Sequence, residues 1–293
     1  MPMSVVIGHL EITPQYFYFF GDSFAEGHEG PKRDLRTRKW KLNDITEMYR
    51  RRYLLAPTAI EFYIGSKSYF VNFRQPGDNL KVFKMMMEQK PVKLRAQPLF
   101  KALYTPQQLI AKVDWTNLWK TRQMSNFEYL MHLNIASGRT YNDIQQYPVF
   151  PWIITDYTSP TIDLNDPKIY RDLSKPIGAL NEDRLEKIMV RYNAIDDADG
   201  IPKFMYGSHY SNVGTVLFYL IRTEPFAELN ARLQGGHFDW ADRLFYSMEG
   251  AWKGVLNSPS DLKELTPEFY YNPHFLKNSN HLDLGMYLVE RMG

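Results

Sequence analysis

Tyr147-Pro148-Val149-Phe150-Pro151-Trp152-Ile153-Ile154 is as apolar as a buried strand, yet two prolines interrupt it. Proline has no amide to give to a sheet ladder, so a regular central strand is disfavoured. A buried extended segment without regular pairing must have its carbonyls and amides satisfied by side chains. Asn142, Asp143, Gln145, Gln146, Asp156, Asp163 and Asn165 stand nearby and are the expected suppliers. Helix signals surround the stretch. Ser125-Asn126-Phe127-Glu128 is a capping box, opening a helix that carries Phe127, Leu130, Met131 and Leu133 and ends at Gly138. Thr105-Pro106 caps and starts another, running to Val113. Further helices are expected at 182–193, 211–222, 225–233 and 241–254, their apolar stripes reading as core packing. The second part of the chain therefore predicts extended peptide in the middle with helices around it.

The first part has a different period. Val5, Ile7 and Leu10 to Ile12 lead into Tyr16-Phe17-Tyr18-Phe19-Phe20. After a loop over Gly21 to Gly30, Ile45 to Leu55, Ala59 to Ile64 and Tyr69 to Phe73 read as strands. Turns are expected at Ala56-Pro57, Gly65-Ser66 and Pro76-Gly77. Asp78 then caps a helix carrying Leu80, Val82, Phe83 and Met85-Met86-Met87, which Pro91 stops. The methionines serve either as a barrel plug, favoured by their helical spacing, or as an adaptable protein-binding patch. Antiparallel strands closed by one C-terminal helix are the outline of a pleckstrin-homology (PH) fold. Residues 91–105, bounded by prolines and carrying Leu94, Leu99, Phe100 and Leu103, read as a docked linker.

Composition narrows the function. The 293 residues are 44% hydrophobic and 23% charged, which suits a folded globular protein and excludes wholesale disorder. There is no cysteine, so disulfides, thiolate metal sites and a cysteine nucleophile are excluded. No apolar run reaches membrane-span length. Residues 1–110 hold 17 Lys+Arg and 10 Asp+Glu, a net of +7, while residues 111–293 hold 18 and 23, a net of −5. The halves are predicted to attract each other, either as a basic recognition module beside an acidic one or as two ordinary solvated surfaces.

Lys32, Arg33, Arg36, Arg38, Lys39 and Lys41 form one basic cluster, read as a loop between early strands, and Arg50-Arg51-Arg52 forms another. The first is a candidate contact for inositol phosphate or anionic lipid, although Asp34 sits inside it. Nucleic acid is not expected, because the nearby aromatics read as barrel core. Asp196, Asp197, Asp199 and Gly200 fail the phase of a calcium loop: with Gly200 sixth, Ile195 and Tyr206 fall where carboxylates are required. His209, His237 and Asp239 have no metal-motif spacing, and His209 reads as a buried histidine bonded to backbone. Gly235-Gly236 reads as a helix-terminating turn. No GxSxG, HExxH or phosphate-loop motif is present, so no catalytic residue, metal, cofactor or small-molecule substrate is expected.

The run Asn126-Phe127-Glu128-Tyr129-Leu130, then Gly138-Arg139-Thr140-Tyr141-Asn142-Asp143 to Gln146 and on through Trp152, resembles the BEACH domain. Arg171 to Leu180, Tyr206 to Ser211, Glu224-Pro225-Phe226, Leu233 to Gly236, Ala241-Asp242-Arg243 and Lys263-Glu264-Leu265 agree with it, in order, from about residue 115 to 285. The resemblance is to the BEACH-domain scaffold proteins of the lysosomal trafficking regulator and neurobeachin type, which carry a PH-like domain directly before BEACH. It implies an α+β chain: a PH-like barrel or sandwich over 1–90, the docked linker over 91–105 and a BEACH domain over 106–293, packed together with a core of irregular extended segments. It also implies a non-enzymatic scaffold of vesicle and membrane traffic, of lysosomal, autophagic or receptor-sorting type. Such a scaffold would be cytoplasmic, peripherally associated with endomembranes, and would bind protein partners through the PH–BEACH surface or groove. From charge and motif position, Trp40, Arg50, Arg51 and Arg52 are the candidates for the PH side of the contact between the domains or of the partner groove, and Asn126, Glu128 and Tyr129 for the BEACH side. The alternatives are an anionic-lipid module using residues 32–41 and, remotely, a hydrolase. Met286 to Gly293 departs from the expected continuation, so the resemblance implies a truncated BEACH domain. Thr266 and Asn272 place polar groups where the family buries apolar ones.

Overall fold

A computed structural model describes residues 5–27, 32–91, 106–196, 200 and 202–285. The linker at 91–105 lies outside these residues but for Pro91, as do most of the Asp196–Gly200 loop and the C-terminal residues 286–293. Contacts divide the chain into two compact units, Met1–Gln146 and Tyr147–Gly293.

The first unit begins with two three-stranded antiparallel sheets. Strands β1 (Val6–Ile12), β2 (Tyr16–Phe24) and β3 (Arg38–Lys41) form one, and β4 (Glu47–Tyr53), β5 (Ala56–Ile64) and β6 (Lys67–Asn72) form the other. Alternation puts Phe17, Trp40, Met48, Ile60 and Phe62 on the inner faces, where they pack with Leu42 and Ile45. Helix α1 (Asp78–Glu88) closes this core by inserting Met86, which is fully buried, while its neighbour Met85 is 47% exposed. The middle methionine plugs the barrel and the first faces solvent. Helices α2 (Pro106–Val113), α3 (Trp115–Lys120) and α4 (Asn126–Ala136) complete the unit. The α4 capping box is present in full, with Ser125 and Glu128 each satisfying the other's backbone amide.

Several expectations shift. The region read as a basic loop is a 3-10 turn over Lys32–Leu35 followed by β3. Residues 21–24 extend β2 instead of opening a loop. The hairpin expected to turn at Ala56-Pro57 turns two residues earlier, at Leu54-Leu55, leaving Pro57 inside β5. Gly77, at φ 91°, caps α1 where Asp78 was expected to. Helix α3 carries no strong apolar period and goes unpredicted.

The second unit holds α5 (Glu182–Ala194), α6 (Val213–Tyr219), α7 (Phe226–Leu233), α8 (Met248–Asn257) and the short α9 (Glu268–Tyr271). Asn181, Asn212 and Ser247 each cap a helix by accepting a backbone amide. The helix expected at 241–254 is instead a 3-10 turn at Ala241–Arg243, then extended chain, then α8 from its Ser247 cap. The core gathers Trp152, Tyr219, Ile221, Phe245, Trp252, Val255 and Leu265.

At its centre the proline-broken segment is extended, as its composition predicts, but its polar groups find other partners than expected. Phe150 exchanges both backbone hydrogen bonds with Leu265, at 2.8 and 2.9 Å. Ile153 and Thr155 pair with the 169–171 backbone. The Trp152 amide donates to Glu264 Oε2 at 3.0 Å, its indole donates to the Lys263 carbonyl, and Tyr270 donates its hydroxyl to the Pro151 carbonyl. Arg171 binds Glu264 at 2.8 Å and so holds that carboxylate in place. The sequence neighbours are occupied elsewhere: Asp143, Asp156 and Asp163 accept amides two residues on, in their own turns. Residues about 110 to 120 positions away serve Phe150 to Trp152, and the 169–171 backbone serves Ile153 and Thr155, in place of the adjacent side chains.

Candidate functional site

The run Ala59-Ile60-Glu61-Phe62-Tyr63-Ile64 contains one charge, and the β4–β5 register places Glu61 opposite Tyr49, two pairs from Arg51 and so on the same face. On this outer face of the second sheet the two charges meet: Arg51 Nε donates to Glu61 Oε2 at 2.7 Å, with both side chains almost wholly buried. The rest of the network comes from the far end of the unit. Thr140 donates its hydroxyl to Glu61 Oε1 at 2.5 Å, and Asn142 Nδ2 reaches the same oxygen at 2.9 Å and Ser68 Oγ at 2.8 Å. Arg51 Nη1 donates to the Ile135 carbonyl in the last turn of α4, at 2.8 Å. In that turn the helical ladder runs out of donors, and the helix dipole favours a cation.

Aromatic rings wall the network. The Arg51 guanidinium carbon lies 4.6 Å from the Tyr49 ring centroid. Burial, then the neighbouring Glu47 carboxylate that accepts its hydroxyl at 2.8 Å, raise the Tyr49 phenol far above its ordinary value. Burial raises Tyr63 likewise, aided by Glu61. One guanidinium nitrogen, Arg51 Nη2, is buried without a hydrogen-bond partner among the described residues. The charge is thus held by one carboxylate, one carbonyl and one ring face.

The other expected site residues are placed differently. Arg50 and Arg52 are exposed on the opposite side of β4 from Arg51. Trp40 is a core residue, 8% exposed, packed edge-on against Phe62 and Tyr69 and tilted against Phe17; as an inward position of β3 it is absent from the surface where a domain or partner contact was expected. Asn126 accepts a hydrogen bond from the Trp119 indole at 2.7 Å, and Tyr129 stacks on the same ring at 4.8 Å, so both brace α4 against α3. Glu128 is held ionised below its ordinary range by the Ser125 amide and hydroxyl, as the capping box requires. Of the basic cluster, Lys32, Arg36, Lys39 and Lys41 are exposed and Arg38 is half-buried, while the Arg33 side chain lies outside the described residues. The β3 alternation separates Lys39 and Lys41 from Arg38, and the Lys39 ammonium lies 3.8 Å from the Tyr16 ring centroid. His209 is bonded to backbone through Ser211, as expected, but is exposed instead of buried.

Sequence reasoning therefore reached Arg51 and missed Glu61, Ser68, Thr140 and the Ile135 carbonyl; Asn142, expected to serve the proline-broken segment, bonds Glu61 and Ser68. A lone carboxylate in an apolar strand was the available signal for Glu61. Among the described residues no group of three or more His, Asp or Glu is placed to hold a metal, and no helix is long and apolar enough to cross a membrane.

Two antiparallel sheets closed by a helix, running on into helices and irregular extended peptide, define a tandem module, a PH-like domain followed by a mostly helical one. Residues 1–87 match the PH domain associated with Beige/BEACH, and residues 117–292 match the Beige/BEACH domain itself, so the chain belongs to the BEACH family. It is 40% identical to the BEACH domain-containing protein lvsE and 44% identical to lvsD, both of Dictyostelium discoideum and each matched over 97% of this chain. It is 42% identical to BEACH domain-containing protein B of Arabidopsis thaliana over 87% of its length. The matches span 10–14% of those relatives' lengths.

Proposed function

We propose that this chain is a non-enzymatic protein-interaction scaffold of vesicle and membrane traffic, working at the cytoplasmic side of endomembranes. The observation that carries this is the Arg51–Glu61–Thr140–Asn142 network, which fastens the barrel's outer sheet to α4 and the segment after it. Its charged and polar groups are turned inward on one another, so their work is to hold a surface in shape. A rigid composite of sheet and helix is suited to presenting side chains to a protein partner. The exposed residues available for that contact are Arg50 and Arg52 beside Arg51 on β4, with Asn126 and Glu128 at the opposite, N-terminal end of α4.

Proximity labelling in cells, with the chain fused to a biotin ligase, tests the reading. Coat, tethering or fusion proteins are expected among the labelled neighbours, and their labelling is expected to fall several-fold with Arg51→Glu. A labelled set unrelated to membrane traffic, or one that Arg51→Glu leaves unchanged while the fold is loosened, would overturn it.

A further inference from the structure

The β4–β5 hairpin closes on a two-residue loop, Leu54-Leu55, between the last ladder pair Tyr53 and Ala56. Both leucines are in the left-handed region, at φ 48° and 69°. Positive φ at both central positions is the requirement of a type I′ turn, which Asn-Gly satisfies without strain and bulky residues do not. Nothing in the packing compensates: Leu54 is 58% exposed and Leu55 64%. Two large apolar side chains thus stand in water on a backbone that disfavours them, and such outliers point to function.

The surroundings are cationic. Arg50 and Arg52, the two arginines that the buried network does not use, are exposed on the strand leading to the tip. Arg74, also exposed, follows Phe73, whose amide bonds the Thr58 carbonyl at the same end of the sheet. Asp78, the next carboxylate in the chain after Arg74, is paired to Lys81 at 3.0 Å. The tip is convex, a two-residue protrusion beyond the last ladder pair, which suits penetration of a soft surface more than capture of a peptide in a groove.

We propose that Leu54 and Leu55 form a membrane-inserting wedge, entering the interface of an anionic bilayer while Arg50, Arg52 and Arg74 meet the lipid headgroups. Apolar insertion and headgroup pairing together supply the two signals that peripheral attachment requires. The site differs from the basic cluster at 32–41 and does not depend on the scaffold reading.

Vesicle flotation of the full chain tests it. Vesicles of phosphatidylcholine with roughly 30% phosphatidylserine are expected to carry the protein up the gradient, pure phosphatidylcholine much less, and added salt is expected to weaken binding. The decisive variant is Leu54→Asn with Leu55→Gly, which supplies the residues the turn prefers. It is expected to raise the melting temperature while weakening vesicle binding by about tenfold or more, since two inserted side chains are lost. In a Leu55→Trp variant, tryptophan emission is expected to shift to the blue when vesicles are added. Absence of wild-type binding to the anionic vesicles would overturn the proposal, leaving a protein pocket as the occupant of the tip. So would binding unchanged in the Asn-Gly variant, or binding abolished only by Lys39→Glu with Lys41→Glu.

Discussion

At the scale of single residues, the Arg51–Glu61 pair illustrates how a buried charge is made tolerable. Removing either partner strands the other in the interior, at a cost of about 3–5 kcal/mol. Arg51→Met and Glu61→Gln are each expected to destabilise the protein by that amount in urea titration. The double variant Arg51→Met with Glu61→Leu is expected to recover only part of the loss, because Thr140 and Asn142 still lose their acceptor. Thr266 presents the opposite case. It is 1% exposed and its hydroxyl has no partner among the described residues. Valine has the shape of threonine with a methyl group in place of the hydroxyl. Thr266→Val is therefore expected to stabilise by about 1 kcal/mol in the same titration, through removal of a desolvated hydroxyl.

His132 adds a pH dependence at the same scale. Its ring stacks on Trp115 at 4.7 Å, and burial holds its pKa below the ordinary 6.5. The unfolded chain therefore takes up the proton more readily. Stability from this residue is present above about pH 6.5 and falls as pH drops from there towards the folded pKa. Melting temperature is expected to decline between about pH 7.5 and 5.5, and less so in His132→Gln.

At the scale of elements, alternation along strands decides which residues are available for function. Arg50, Arg51 and Arg52 are chemically identical in the sequence; the β4 pleat sends the middle one into the buried network and leaves the others in water. The same pleat takes Trp40 into the core while its neighbours Lys39 and Lys41 stay exposed. Helix α1 sorts Met85 from Met86 by its own period. Met86→Ala is expected to cost about 2–5 kcal/mol, as loss of a fully buried side chain does, and Met85→Ala well under about 1 kcal/mol. Urea midpoints of the two variants separate the plug from the surface. These elements were legible in outline because capping boxes, prolines and alternating apolar residues are local signals. The 54–55 turn was misplaced because Ala56-Pro57 has turn chemistry and Leu-Leu has none.

At the scale of the molecule, the first unit contains both the PH-like barrel and the opening helices of the BEACH match. Glu61 accepts from Thr140 and Asn142 within that unit, across about 80 residues of sequence. A chain ending at Gln146 is therefore expected to melt several degrees above one ending at Pro91, where Glu61 would lose Thr140 and Asn142 and Arg51 would lose the Ile135 carbonyl. Equal melting temperatures in calorimetry would show that the network adds nothing to the barrel.

The sequence by itself determined the α+β class, the PH-like barrel, the BEACH resemblance and the extended, proline-broken core segment. Each follows from signals confined to a few neighbouring residues or from an ordered series of motifs. Only the tertiary structure decided the partners of that segment and of Glu61. Hydrogen-bond partners across about 80 to 120 residues depend on which backbone ends arrive beside each other, and no local pattern encodes that. The side on which each arginine of Arg50-Arg51-Arg52 lies was also a tertiary outcome, because the register of a strand is set by the pairing it joins.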